Sequence, residues 1–392
     1  MLTSLSIIFL LGLSLGKCFK LLKMPSLLGM LITGMILGPY ALNLLDPSIL
    51  AVSSDLRQLA LIVILTRAGL ALDLKDLRKV GRPALLMCFV PATFEIWGVI
   101  LLGPPLLGLS LLDSAILGTV LGAVSPAVIV PRMLKLMGQG YGKEHSIPQL
   151  ILAGASVDDV YVIVLFTAFT SLAKGGSVSA VQFLEIPVSI LLGILAGIVI
   201  GLALIWFFKK YHMRDTVKIL IIISLSALLL EFQNFLAGTI PFSGLLAIMS
   251  IGITIYQRYQ ILAEHLSNKY NKIWVGAEIL LFVLVGATVD LNYALAAGVM
   301  SLVIVAAGLL FRVMGVFFSL TGTKLSANER IFAMMAYTPK ATVQAAIGGI
   351  PLAMGLASGN QILTVAVQSI LLTAPLGALL VDHFYPKLLE RA

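Results

Sequence analysis

Apolar residues run almost without interruption along this chain, and the main breaks are short clusters of Lys and Arg. A bilayer crossing takes about 20 apolar residues as a helix, so the pattern admits few folds besides a bundle of membrane helices. Charged residues make up 11% of the 392 positions, against about 25% in a soluble domain. That is too little charge to cover a globular surface in water. A soluble enzyme, a secreted scaffold and a disordered chain are excluded, and the chain reads as an all-α polytopic membrane protein.

Polar breaks place about thirteen spans, near 2–16, 24–42, 57–73, 83–108, 114–138, 147–173, 183–208, 216–233, 240–257, 272–290, 292–320, 328–357 and 360–382. Twenty-one of the 26 Lys and Arg fall in or beside alternate loops, from the Lys17, Lys20, Lys23 cluster to Lys387 and Arg391. Positive loops face the cytoplasm, which puts the N-terminus outside and the C-terminus in the cytoplasm. The net charge of +8 is therefore an orientation signal, and no nucleic-acid partner is expected. Cys18 and Cys88 stand alone in apolar runs, with no disulfide framework and no metal-ligand spacing.

An internal repeat is present. Gly69-Leu-Ala-Leu-Asp73-Leu74 returns 217 residues later as Gly286-Ala-Thr-Val-Asp290-Leu291. Seven spans separate the copies, an odd number, so the second is inverted. Spans 1–6 (1–173) and 8–13 (216–382) form the two copies, with span 7 (183–208) as the linker. Ser125-Pro126 corresponds to Thr338-Pro339 after a gap of about one turn. Each Pro removes an N–H and frees a carbonyl one turn back, and at membrane depth such backbone survives only when buried or lining a polar cavity. Two broken helices in corresponding places are the architecture of secondary transporters, with the site near the midplane.

Ionisable groups inside a membrane are costly and mark function. Asp158 and Asp159 lie 12 or so residues into span 6, about 18 Å deep at 1.5 Å per residue. Adjacent helical residues point about 100° apart, so one faces a cavity while the other meets a neighbouring helix or the broken backbone. Glu95 and Arg312 are 217 residues apart, symmetry mates of opposite sign, and a mutual ion pair is the simplest way to carry both. That pair is either structural or part of the coupling. Lys340 follows Pro339 and is placed to neutralise the negative ends of half-helices. Arg67 and Glu278 read as snorkelling or mutually paired, and Asp73 and Asp290 as span-end residues. Gly193, Gly197 and Gly201 recur every fourth residue, which suits close helix packing within the chain or across a dimer. No Gly-rich phosphate loop, His/Cys cluster or Ser–His arrangement appears. The chain is thus not expected to be an enzyme or to need a cofactor.

At these residues the chain resembles the cation:proton antiporter superfamily, and within it the NHA-type branch. The segments that carry the likeness are Thr66-Arg-Ala-Gly-Leu-Ala-Leu-Asp73, Ala123-Val-Ser-Pro-Ala-Val-Ile-Val-Pro131, Gly154-Ala-Ser-Val-Asp-Asp159 and Pro339-Lys-Ala-Thr-Val-Gln-Ala-Ala-Ile-Gly348. The resemblance implies a Na+(Li+)/H+ exchanger, a homodimer in the bilayer. A core formed from 83–173 and 292–382 would move against a dimerisation domain made by the remainder. It also implies that Asp159 is the main Na+ ligand and proton carrier, assisted by Asp158. Electrogenic relatives carry Lys where this chain has Arg312, and the Glu95/Arg312 combination fits the NHA-type branch. A small hard cation takes oxygen ligands; Ser125, Ser156, Thr338 and the carbonyls freed at Pro126 and Pro339 are the further candidates. Rival readings are a sodium-coupled symporter of a small organic solute, a cation channel and a K+/H+ exchanger. The expected location is a bacterial inner or plasma membrane.

Overall fold

A computed structural model describes residues 1–22, 24–71, 81–174, 180–236, 240–289 and 291–391. Among them the regular structure is helical, with one isolated antiparallel bridge between Tyr141 and Arg391. The first half comprises α1 (Leu2–Leu21), α2 (Ser26–Leu37), α3 (Pro47–Ala51), α4 (Ser53–Ala71), α5 (Arg82–Met87), α6 (Val90–Leu107), α7 (Leu111–Leu121), α8 (Pro126–Gln139) and α9 (Ile147–Lys174). The second comprises α10 (Ala180–Lys210), α11 (Asp215–Phe235), α12 (Gly244–Arg258), α13 (Gln260–Ala287), α14 (Leu291–Ser319), α15 (Ala327–Ala336), α16 (Thr342–Ile347), α17 (Ile350–Ala353) and α18 (Gly359–Leu388). Eight uninterrupted or joined stretches among the described residues are long and apolar enough to cross a membrane unaided. Asp73 and Asp290 lie outside the described residues.

Helix ends follow local chemistry. Ser326 opens α15 with a capping box: the Glu329 N–H donates to its Oγ at 3.2 Å, and its own N–H donates to Glu329 Oε2 at 2.8 Å. Ser110 caps α7, accepting from the Asp113 N–H at 3.0 Å. One boundary differs from expectation. The span predicted from 272 is part of α13, which begins at Gln260. The extra turns are polar on one side but bury Leu262, Ala263, Leu266 and Tyr270 on the other, a helical stripe that a search for continuous apolar runs passes over.

The chain forms two compact units. One comprises Met1–Ser54, Lys75–Val162 and Ile279–Ala392, the other Asp55–Leu74 and Ile163–Glu278. In the first, α6 lies along α14 and against α7. Small residues set the approach: a Cβ at Gly98 would strike the Phe311 ring, and one at Gly315 would meet the Pro91 backbone. Lipid is as apolar as the helix surfaces, so close packing rather than water exclusion holds such contacts. In the second unit, α10 lies on α12. There Gly193 faces Ser243, Gly197 faces Ala247 and Ser250, and Gly201 faces Thr254. The glycine stripe is thus filled by a helix of the same chain. Arg67 of α4 and Glu278 of α13 attract each other inside this unit.

Candidate functional site: two chain breaks around a buried charge cluster

Both breaks belong to the first unit. The first, at 122–125, separates α7 from α8; the second, at 337–341, separates α15 from α16. Pro126 is the first residue of α8, where its missing N–H is one that the helix leaves unbonded anyway. Pro339 instead sits inside its break, and its carbonyl accepts from the Ser125 N–H at 2.8 Å. The breaks therefore touch through backbone. Their helix ends relate by the same offset, 217, that separates Glu95 from Arg312, to within two residues. Ser125 and Ala341 are the residues that precede the helices leaving the two breaks, and Thr342 is the first residue of α16.

Arg312, on α14 and fully buried, is the centre of the cluster. Its Nε donates to the Tyr337 carbonyl at 2.7 Å. Nη1 donates to Glu95 Oε2 at 3.0 Å and to the Gly122 carbonyl. Nη2 donates to Asp158 Oδ2 at 2.7 Å. A planar guanidinium with five donors suits such a fan of acceptors, where an ammonium would not. The Lys340 ammonium bonds the same Glu95 oxygen. So the expected Glu95–Arg312 pair is present within a larger network, and Lys340 answers a side-chain carboxylate rather than a half-helix end.

The adjacent acids are treated differently. Asp158 Oδ2 accepts from both Arg312 and the Val124 N–H, the latter at 2.8 Å. Asp159 is in no ion pair among the described residues, and its Oδ1 is buried without a hydrogen-bond partner. At the acid pair and the breaks three more buried oxygens have none: Asp158 Oδ1, Ser125 Oγ and Thr342 Oγ1. With both acids ionised the cluster holds Glu95, Asp158 and Asp159 against Arg312 and Lys340. It is short of one positive charge.

Other expected ligands are placed less favourably. Thr338 Oγ1 donates to the Met335 carbonyl at 2.9 Å and lies beside Gly377 of α18. The Ser156 side chain lies outside the described residues. Three carbonyls at the first break are taken: Gln344 Nε2 donates to Leu121 at 3.3 Å and Ala123 at 2.9 Å, while Arg312 holds Gly122. Gln344 and Thr373, which accepts from the Lys340 N–H at 2.8 Å, were not predicted. An amide in the apolar run after Pro339 was a readable signal for the first; a Thr within α18 gave none for the second.

A sequence profile described as "Sodium/hydrogen exchanger, transmembrane" matches residues 5–383. The chain belongs to the sodium/hydrogen exchanger family. It is 33% identical to human sodium/hydrogen exchanger 9B2, over 96% of this chain and 73% of that protein. It is 31% identical to human sodium/hydrogen exchanger 9B1, over 99% and 78%. Its fold matches that of the sodium proton antiporter MjNhaP1 from Methanocaldococcus jannaschii at TM-score 0.84, with 19% identity over 99% of this chain and 98% of that one. The exchanger is thus a multi-pass cation/proton antiporter, a transporter rather than an enzyme, and needs no cofactor. One expectation is overturned. The curated relatives described here are human proteins, with others from mouse and frog, and they point to a eukaryotic membrane instead of a bacterial inner membrane.

Proposed function

We propose that this exchanger carries Na+, or Li+, against H+ by alternating access, with Asp159 as the carboxylate that binds either the cation or the proton. The missing positive charge in the buried cluster carries this reading. A proton on Asp159 completes neutrality, and so does a monovalent cation beside it; both together would leave an excess. Uncompensated buried charge is costly, so either occupied state can reorient across the membrane and the empty one is disfavoured. Asp158 assists through its free Oδ1, and the unpartnered Ser125 and Thr342 hydroxyls are oxygen donors of the kind a hard cation takes.

Arg312 keeps its proton throughout, as a guanidinium does, and it occupies Asp158. Displacement of a single proton by Na+ then makes exchange electroneutral. The moving core is assigned to 83–173 and 292–382 and the remainder to a homodimer contact. Relatives named as sodium/hydrogen exchangers support Na+ over K+, and a K+/H+ exchanger with the same charge balance is the second reading. The test is proton movement in proteoliposomes driven by Na+, Li+ or K+ gradients, with the membrane potential clamped and unclamped. Na+-driven exchange insensitive to the clamp and absent from Asp159→Asn is expected. Wild-type exchange in Asp159→Asn would overturn the assignment.

A further inference from the structure

The polar backbone of the first break is almost fully occupied, and one side chain does much of that work. Gln344 Nε2 donates to the Leu121 and Ala123 carbonyls, and its Oε1 accepts from the Ala341 N–H at 2.8 Å. Gln344 is itself 1% exposed. Its amide therefore bonds backbone on both sides, the end of α7 and the start of α16. Together with the Ser125–Pro339 bond it fastens one break to the other. An unpartnered carbonyl at the end of α7 would carry the negative end of that half-helix and would be a natural cation ligand.

We propose that Gln344 is a positioning residue of the ion site. Its amide withholds the Leu121 and Ala123 carbonyls from the cation and keeps the two breaks in register. Coordination is then left to side-chain oxygens, Asp159 first among them. This rests on the reading of Asp159 as the ion carboxylate. The consequence is selectivity: a shell short of backbone oxygens favours a small, strongly bound cation, and releasing two carbonyls would admit a larger one. Gln344 also leaves no buried amide group unanswered, since both its nitrogen and its oxygen are bonded.

Three variants in proteoliposomes test the proposal: Gln344→Met, Gln344→Glu and Asp159→Asn. Gln344→Met loses the donors and the acceptor. It should fold, as read from its thermal melt, while kcat/KM for Na+ falls about tenfold and discrimination against K+ narrows. Gln344→Glu keeps the acceptor for Ala341 but turns a carboxylate towards two carbonyls; protonated, it regains a donor. Its activity relative to wild type at the same pH should therefore rise as pH falls. A packing role alone would lower activity by a ratio that does not change with pH. A flat ratio together with wild-type Na+/K+ discrimination in Gln344→Met overturns the proposal. Failure of the Asp159 reading has a separate signature, exchange retained in Asp159→Asn whatever the Gln344 variants do.

Discussion

The two breaks touch through backbone, yet they differ in the charge they carry. The first contains no ionisable residue, and side chains from elsewhere serve it: Gln344 at Leu121 and Ala123, Arg312 at Gly122, Asp158 at Val124. The second carries its own cation, Lys340; Gln344 close by bonds Ala341, while Arg312, Ser125 and Thr373 bond Tyr337, Pro339 and the Lys340 backbone from elsewhere. Symmetry of backbone has been kept while symmetry of charge has not. The two adjacent acids fall on α9 and Glu95 on α6, and their counter-charges on α14 and in the second break. Two breaks carrying the same charge would repel each other where they touch, and this asymmetry avoids that.

If the first break depends on outside side chains, removing the one with most contacts should hurt most. Arg312→Met leaves Asp158 without a cation and two carbonyls unbonded, with Glu95 held by Lys340 alone, and breaking a buried pair in this way costs about 3–5 kcal/mol. A collapse of the thermal melt is expected, and a melt near wild type would show that the cluster does not hold the fold. Arg312→Lys should rescue it only in part, since one ammonium cannot reach all four acceptors.

Glu95→Gln probes the second break. It deprives Lys340 of its acid while Arg312 retains Asp158, so the loss should be smaller than for Arg312→Met. Lys340→Met added to Glu95→Gln should recover stability, a coupling that a double-mutant cycle reads directly. Strict additivity would mean that Lys340 does not depend on Glu95. The smallest effect is expected at the far end of α15, where Ser326→Ala removes the capping box. It should cost about 1 kcal/mol of stability and leave the KM for Na+ unchanged.

Much of this arrangement was legible in the sequence, and the reasons differ by element. Apolar runs and basic loops mark a membrane bundle because bilayer thickness sets helix length. The acids at 158–159, the opposite charges 217 residues apart and the Pro-bearing breaks announce a site because buried charge and freed backbone are both expensive. What stayed hidden depends on reach between helices. Nothing in the spacing says that the Arg312 fork spans Glu95 and Asp158 together, or that Lys340 turns to Glu95. The amphipathic start of α13 escaped because its stripe lies among polar residues. Composition identifies a membrane protein without saying which membrane.

Competition between Na+ and protons at one carboxylate is the central claim, and the dependence of the apparent KM for Na+ on pH tests it most directly. Measured in proteoliposomes from about pH 6 to 8.5, KM should rise as pH falls, approaching about tenfold per unit where Asp159 is protonated. A KM that stays flat across that range would contradict the account.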